Sequence, residues 1–168
     1  MMLTHTHVSA FAQLVVDREG QAQTRLSSSA VAALLTLWHR GPLSATELAE
    51  MFRVRQPTAH RLIRNLFEKG LVSRNPTGSR TIRFALSTSG RRRAADIQAH
   101  RLAAVDELLS VLNDQERAAL DGLVSRVLAA ATPDRRTARF MCRFCEHSVC
   151  DGPDCPVGSA VGAAGGAK

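Results

Sequence analysis

Four cysteines, Cys142, Cys145, Cys150 and Cys155, are spaced C-x2-C-x4-C-x4-C near the end of this 168-residue chain, and none precedes them. Four thiolates satisfy tetrahedral Zn2+, whose structural sites are closed cages. A C-x2-C turn lets two sulfurs grip one ion, and Gly152, Pro153 and Pro156 supply turns to bring Cys150 and Cys155 round. Arg139 and Arg143 would offset the net charge of such a site, formally about −2. Three other fates remain open: an iron–sulfur cluster, a dithiol switch at Cys142 and Cys145, or free thiols in a disordered tail. His147 lies among the cysteines and is read as a bystander. Catalytic chemistry is not expected. His39, His60 and His100 are scattered without a nucleophile or carboxylate at catalytic spacing, and a four-thiolate cage offers substrate no open position.

A second constellation lies between Ser44 and Gly90. Ser44-Ala45-Thr46-Glu47 is a capping box, opening a short helix that buries Leu48 with Met51 or Phe52. The turn Arg53-Val54-Arg55 follows, then a helix beginning at Gln56-Pro57, where proline suits the first turn. Ala59, Leu62, Ile63, Leu66 and Phe67 form its apolar stripe, while Thr58, Arg61, Arg64 and Asn65 fall opposite. Gly70 ends it after Lys69. Leu71–Arg74 and Thr81–Leu86 read as two strands of a hairpin, with Ile82, Phe84 and Leu86 inward and Thr81, Arg83 and Ala85 outward. Asn75–Ser79 is turn chemistry that delivers Arg80 near the tip. A helix with a cationic face beside an arginine-tipped hairpin suits DNA: the helix for the major groove, Arg80 for a narrow minor groove. Gln56, Thr58 and Arg61 are the candidates for base edges, and Arg64, Asn65 and Arg74 for phosphate.

Other helices must position this unit. Val8–Gly20 carries Phe11, Leu14 and Val15. Ser27–Ser29 caps a helix on which Val31, Leu34, Leu35 and Trp38 share a core-facing stripe before Gly41-Pro42 stops it. Thr88 is read as the cap of a long helix reaching Leu112, with Leu102, Val105, Leu108, Leu109 and Leu112 as its stripe. Asn113–Glu116 is a further capping box, and Leu120, Leu123, Val124, Val127, Leu128 and Ala131 line the helix it opens. The reader is too small to cover both stripes, so a second copy of the chain is expected to do so, the alternative being that the two helices pair within one chain.

Composition agrees with a polyanion partner. There are 22 basic against 15 acidic residues, a net charge of +7, and only Lys69 and Lys168 among the basic residues are lysine. Arginine's planar fork matches phosphate and guanine. With 45% hydrophobic residues, 4% aromatic and no tyrosine, the core is expected to be aliphatic. The start lacks a secretory pattern and no run spans a bilayer, so a cytoplasmic protein with reduced thiols is expected and no membrane partner is.

Leu71–Arg74, Arg80 and Leu86-Ser87-Thr88-Ser89-Gly90 resemble the wing and following helix start of MarR-type winged helix-turn-helix regulators, and Leu66–Gly70 is similar to the end of that family's recognition helix. The resemblance covers about residues 8 to 131. It implies a mainly α fold with a small β-hairpin wing and outer dimerisation helices. It also implies a homodimer on a palindromic operator, most often a repressor, and a small-molecule effector near the junction of reader and dimer helices. One departure is evident: Gly78 stands where the family carries the Asp that orients the wing arginine. The chain thus divides into 1–132, reader and dimerisation helices, and 133–168, a linker, the cysteine tail at 140–156 and a flexible Gly/Ala end. The alternative is a metal- or redox-responsive interaction module in which the tail is the functional element.

Overall fold

Polar caps set most helix starts. The computed structural model describes residues 2–21, 26–76, 81–147, 149–150 and 155–165. Helix α1 spans Met2–Gln21, α2 Ser28–Arg40, α3 Ala45–Phe52 and α4 Gln56–Glu68. Ser27 caps α2 by accepting from the Ala30 N–H, and Gly41 closes it at φ 77°. Ser44 and Glu47 form the expected capping box on α3. Helix α5 spans Thr88–Leu109 and α6 Asp114–Ala130; Asn113 and Glu116 cap α6 as the sequence predicts. The cap of α5 differs by one residue. Ser87, not Thr88, accepts from the Gly90 N–H, while the Ser87 and Ser89 hydroxyls both donate to the Gly70 carbonyl beyond the end of α4. Helix α1 also begins well before Val8, in a Thr- and His-rich segment with no apolar period to mark it.

The sheet has three strands rather than two. Strand β1 (Leu43–Ser44) pairs antiparallel with β3 (Arg83–Leu86), which pairs with β2 (Val72–Asn75), in the order β1-β3-β2. Two residues immediately before a capping box are too short to show a strand period, so β1 leaves no sequence signal. Its pairing reverses two expectations. Arg83 faces β1 and α3, where it donates to the Pro42 carbonyl and to Glu47, instead of pointing to solvent. Ile82 lies beyond the last rung, Asn75 with Arg83, and is 54% exposed instead of inward.

One aliphatic core joins the reader. Val31, Leu34, Leu35 and Leu37 of α2 meet Leu48, Met51 and Phe52 of α3, Ile63 and Leu66 of α4, Val72 and Leu86 of the sheet, and Ala94 and Ile97 of α5. Trp38 packs against this core, as expected of a lone Trp on an apolar stripe. The outer helices contrast with it. Helix α6 buries no residue, with Leu123 at 60% and Val127 at 68% exposure, and Leu102, Val8 and Val16 on α5 and α1 are also exposed. After α6 come α7 (Arg135–Met141), a 3-10 turn at Cys142–Phe144 and α8 (Pro156–Gly165), which packs on α6 and α7. The tail therefore carries two helices that the sequence reading did not place. Among the described residues, no helix is long and apolar enough to cross a membrane.

Gly90 fixes how closely α5 approaches the sheet. A Cβ there would stand 1.9 Å from the Leu71 carbonyl oxygen, a backbone atom that also accepts from the Ser87 N–H. Gly90→Ala must push the two segments apart, and a loss of about 1–3 kcal/mol in unfolding free energy is expected from urea titration.

Candidate nucleic-acid interface and thiol patch

Helix α4 is held by one face. Ala59, Ile63 and Leu66 are buried, Leu62 half-buried, and Phe67 47% exposed. At about 100° per residue, that seating sends Pro57, Arg61, Arg64 and Glu68 outward, with Thr58 and Asn65 on one flank and His60 on the other. Thr58, Arg61, Arg64 and Asn65 are all exposed, as their positions predict. Gln56 is exposed at the helix start, and its amide nitrogen lies 3.4 Å from the Thr46 hydroxyl, tying α4 to α3. Arg64, His60 and the β2 residue Arg74 line one trough between α4 and the wing, about 470 Å³ in volume. His60 is the residue that reading the helix as two faces missed; the helical projection places it beside Arg64. Arg80 lies outside the described residues.

At the C-terminal end Glu68 and Lys69 offset one another, whereas the N-terminal half presents Gln56, Thr58 and Arg61 with no acidic neighbour on α4. The helix is therefore polarised, with its N-terminal turns as the end fitted to a polyanion.

Behind it, Glu47 fastens the reader. Its carboxylate accepts from the Ser44 N–H at 2.7 Å and hydroxyl at 2.8 Å, and pairs with Arg83 at 2.8 Å. Partial burial pushes the Glu47 carboxyl up, but the two Ser44 hydrogen bonds and the Arg83 guanidinium outweigh it and leave the group below its ordinary 4.5.

The turn between α3 and α4 is the strained point. Arg53 holds φ 55°, ψ 38°, a left-handed conformation costing a non-glycine residue about 1–2 kcal/mol. Its N–H closes α3 onto the Ala49 and Glu50 carbonyls. Its guanidinium donates to the Thr137 hydroxyl at 2.7 Å and sits 5.0 Å over the Phe140 ring, both on α7. From there an alternating stack crosses the tail. Arg143 lies 3.9 Å from the centre of Phe140 and 4.9 Å from that of Phe144, and Arg101 of α5 covers Phe144 at 4.3 Å. Arg101 ends the series in an ion pair with Glu19 of α1 at 2.8 Å, where its side chain is 7% exposed. Each such cation–π contact contributes about 0.5–1 kcal/mol at exposed sites and more when desolvated.

The four cysteines meet beside this stack. All are unbridged; Cys142 and Cys155 are buried, and Cys145 and Cys150 pack against them. Cys142 is hydrogen-bonded through sulfur to Cys145 and also to Cys155. The Cys145 contact favours a thiolate at Cys142 and, against burial, brings that thiol down to about 7, while Cys145 is pushed up by the same contact. The Gly158 N–H, in the first turn of α8, donates to Cys155 Sγ at 3.2 Å. Arg40 and Arg101 are the cations that act on Cys142 and Cys145. This corrects the expectation that Arg139 and Arg143 would balance the sulfurs: Arg139 is exposed, and Arg143 lies between two rings. His147 contacts the Cys142 carbonyl at 3.1 Å through Nε2 and stacks on His39. Among the described residues, no three His, Cys, Asp or Glu side chains already stand as an ion-holding group.

Residues 26–78, from the start of α2 into the wing, match the MarR family. No curated protein matches the chain in sequence. Among solved structures, YusO from Bacillus subtilis matches with a TM-score of 0.69 at 21% identity, over 78% of this chain and 96% of its own. A MarR family protein from Bacillus stearothermophilus gives 0.68 at 19%, over 75% and 91%. MepR, a transcription regulator of the Staphylococcus aureus multidrug efflux pump MepA, gives 0.61 at 20%, over 72% and 95%. The fold is the MarR winged helix-turn-helix. Members of the MarR family are transcription regulators, not enzymes. In MarR terms α3 and α4 are the helix-turn-helix and β2–β3 the wing, while the cysteine tail lies outside the matched residues.

Glu47 gives this reader a pH signature. Because its folded pKa lies below the unfolded one, its stabilisation is full above about 4.5 and fades as pH falls through the folded value. Urea midpoints of the native chain should drop over that interval, and Glu47→Gln, which keeps an acceptor for Ser44 but loses the charge, should flatten the drop.

Proposed function

We propose that this protein is a sequence-specific transcriptional regulator that acts in the cytoplasm as a homodimer on a palindromic operator. The observation that carries the reading is the seating of α4: one face is buried on α2 and α3, and the side bearing Arg61 and Arg64 is free. In this reading the N-terminal turns of α4 enter the major groove, where Gln56, Thr58 and Arg61 meet base edges. Arg64, Asn65 and Arg74 hold phosphates, which set register without reading sequence. Arg80, outside the described residues, is assigned the minor groove. Repression is the sign expected from occupancy alone, since a dimer seated on a promoter excludes polymerase.

The dimer is supported by the apolar side chains left exposed on α1, α5 and α6, among them Phe11, Leu14, Leu102, Leu123 and Val127. Covering them with a second copy under two-fold symmetry would present two α4 helices to half-sites about 34–36 Å apart. A small-molecule effector would fit the open cleft of about 1370 Å³ between α1, α4 and the tail, lined by Leu26, Phe52, Leu62, Phe140 and Phe144. Asn65 and Arg61 line the same cleft, so an occupant there would touch the reading helix directly.

Two experiments test the reading. Arg61→Ala should weaken operator binding by about 1–3 kcal/mol and relax selectivity at one base position, measured by competition across single-base operator variants. Equal loss on every sequence would remove Arg61 from base reading. Leu123→Glu with Val127→Glu should convert the dimer to monomer in sedimentation while leaving the helical spectrum intact; an unchanged dimer would exclude the α6 face as the interface.

A further inference from the structure

The cysteine patch stands outside everything the DNA-reading function requires, yet it is built into the fold at three points. The 3-10 turn carrying Cys142 packs on α2, α8 packs on α6, and α7 touches the turn before α4 through Arg53. Phe140, Arg143 and Phe144 interleave with Cys142 and Cys145 in sequence, so the thiols sit on the same short segment as the arginine–phenylalanine stack.

We propose that Cys142, Cys145, Cys150 and Cys155 hold one borderline-soft divalent cation, zinc by chemistry, and that this knuckle braces the strained Arg53 turn, so that metal occupancy sets the affinity of α4 for DNA. The regulatory half of this inference rests on the DNA-binding reading above; the metal half does not.

The donor set fits. Four unbridged thiols share one patch, two of them buried, and sulfur-to-sulfur hydrogen bonds join Cys142 to both Cys145 and Cys155. Zn–S bonds of about 2.3 Å give a tetrahedral cage with edges of about 3.8 Å, so the four sulfurs of the patch would draw together around the ion. A closed cage of four thiolates is a structural site, and its residual charge of about −2 needs cations and N–H donors nearby. Arg40, Arg101 and the Gly158 N–H supply them. Gly158 has a second role: a Cβ there would stand 3.3 Å from Cys155 Sγ, so glycine keeps space beside the sulfur. The imidazole of His147 is engaged with the Cys142 carbonyl and His39, which leaves the four thiols as the ligand set.

The coupling follows from the stack. Arg53 pairs with Thr137 and Phe140, Phe140 with Arg143, Arg143 with Phe144, and Phe144 with Arg101, which is paired to Glu19 of α1. Phe140 and Phe144 flank Cys142, so an ion that fixes Cys142 and Cys145 fixes both rings. Loss of the ion frees α7 to leave Arg53, and the turn that sets the angle of α4 loses its outside support.

The full chain, purified without oxygen, should contain one zinc per chain and no acid-labile sulfide. Its four thiols should resist a thiol reagent until a chelator removes the metal. Cobalt substitution should give the intense d–d and sulfur-to-metal bands of a four-sulfur tetrahedral site, lost in Cys142→Ser and Cys155→Ser. Metal removal under reducing conditions should weaken operator binding about 5–150-fold, restored by zinc alone. Free thiols without metal, a disulfide, or iron with labile sulfide would overturn the metal assignment. Full metal loading with the same operator affinity in metal-free protein would overturn the coupling. A chain that binds zinc but no DNA in either state would refute the DNA-binding reading and leave the metal site standing.

Discussion

The burial of Ala59, Ile63 and Leu66 against α2 and α3 is the contact on which the molecule's use depends. A helix this basic on one side does not stay at a fixed angle by propensity alone; an amphipathic helix takes its stability from packing. Once those three side chains are seated, the helical repeat leaves Arg61 and Arg64 nowhere to point but outward. The elements around α4 serve that seating. Ser87 and Ser89 anchor the end of α4 through the Gly70 carbonyl, Gln56 ties its start to Thr46, and Glu47 locks α3 to β3 through Arg83.

The reader was legible because its signals are local. A capping box, proline in a first helical turn, a left-handed Gly70 and an apolar stripe each act within a few residues, and all appear where their chemistry puts them. What escaped depends on partners distant in sequence. Strand β1 exists because Leu43 and Ser44 meet Phe84 and Arg83, some forty residues on, and that pairing turned Arg83 inward. The cap at Ser87 instead of Thr88 is a choice between adjacent hydroxyls, decided by the approach of Gly90 to Leu71. Helix α8, with its Gly- and Ala-rich composition, is packed on α6 rather than signalled by any strong period of its own. His60 was hidden by reading α4 as two faces, since the wing makes its flank into a third.

The two constellations visible in the sequence, cationic helix and cysteine cluster, occupy opposite ends of one mechanical path. The path runs through Arg53, the non-glycine residue with positive φ among those described, and through rings that flank Cys142. A left-handed arginine costs more than a glycine would at the end of α3, where the Arg53 and Val54 N–H groups return to the Glu50 and Ala49 carbonyls. Thr137 and Phe140 add a second hold on its side chain from outside the turn. This gives the tail a physical reason to exist beyond the residues that match the MarR family.

If the free face of α4 meets nucleic acid as a cationic surface, binding of the native chain to a duplex must respond to salt. Affinity should fall linearly on a double-logarithmic plot, with a slope of about −0.9 for each phosphate contacted. A flat line, or no binding to any duplex at low salt, would contradict it.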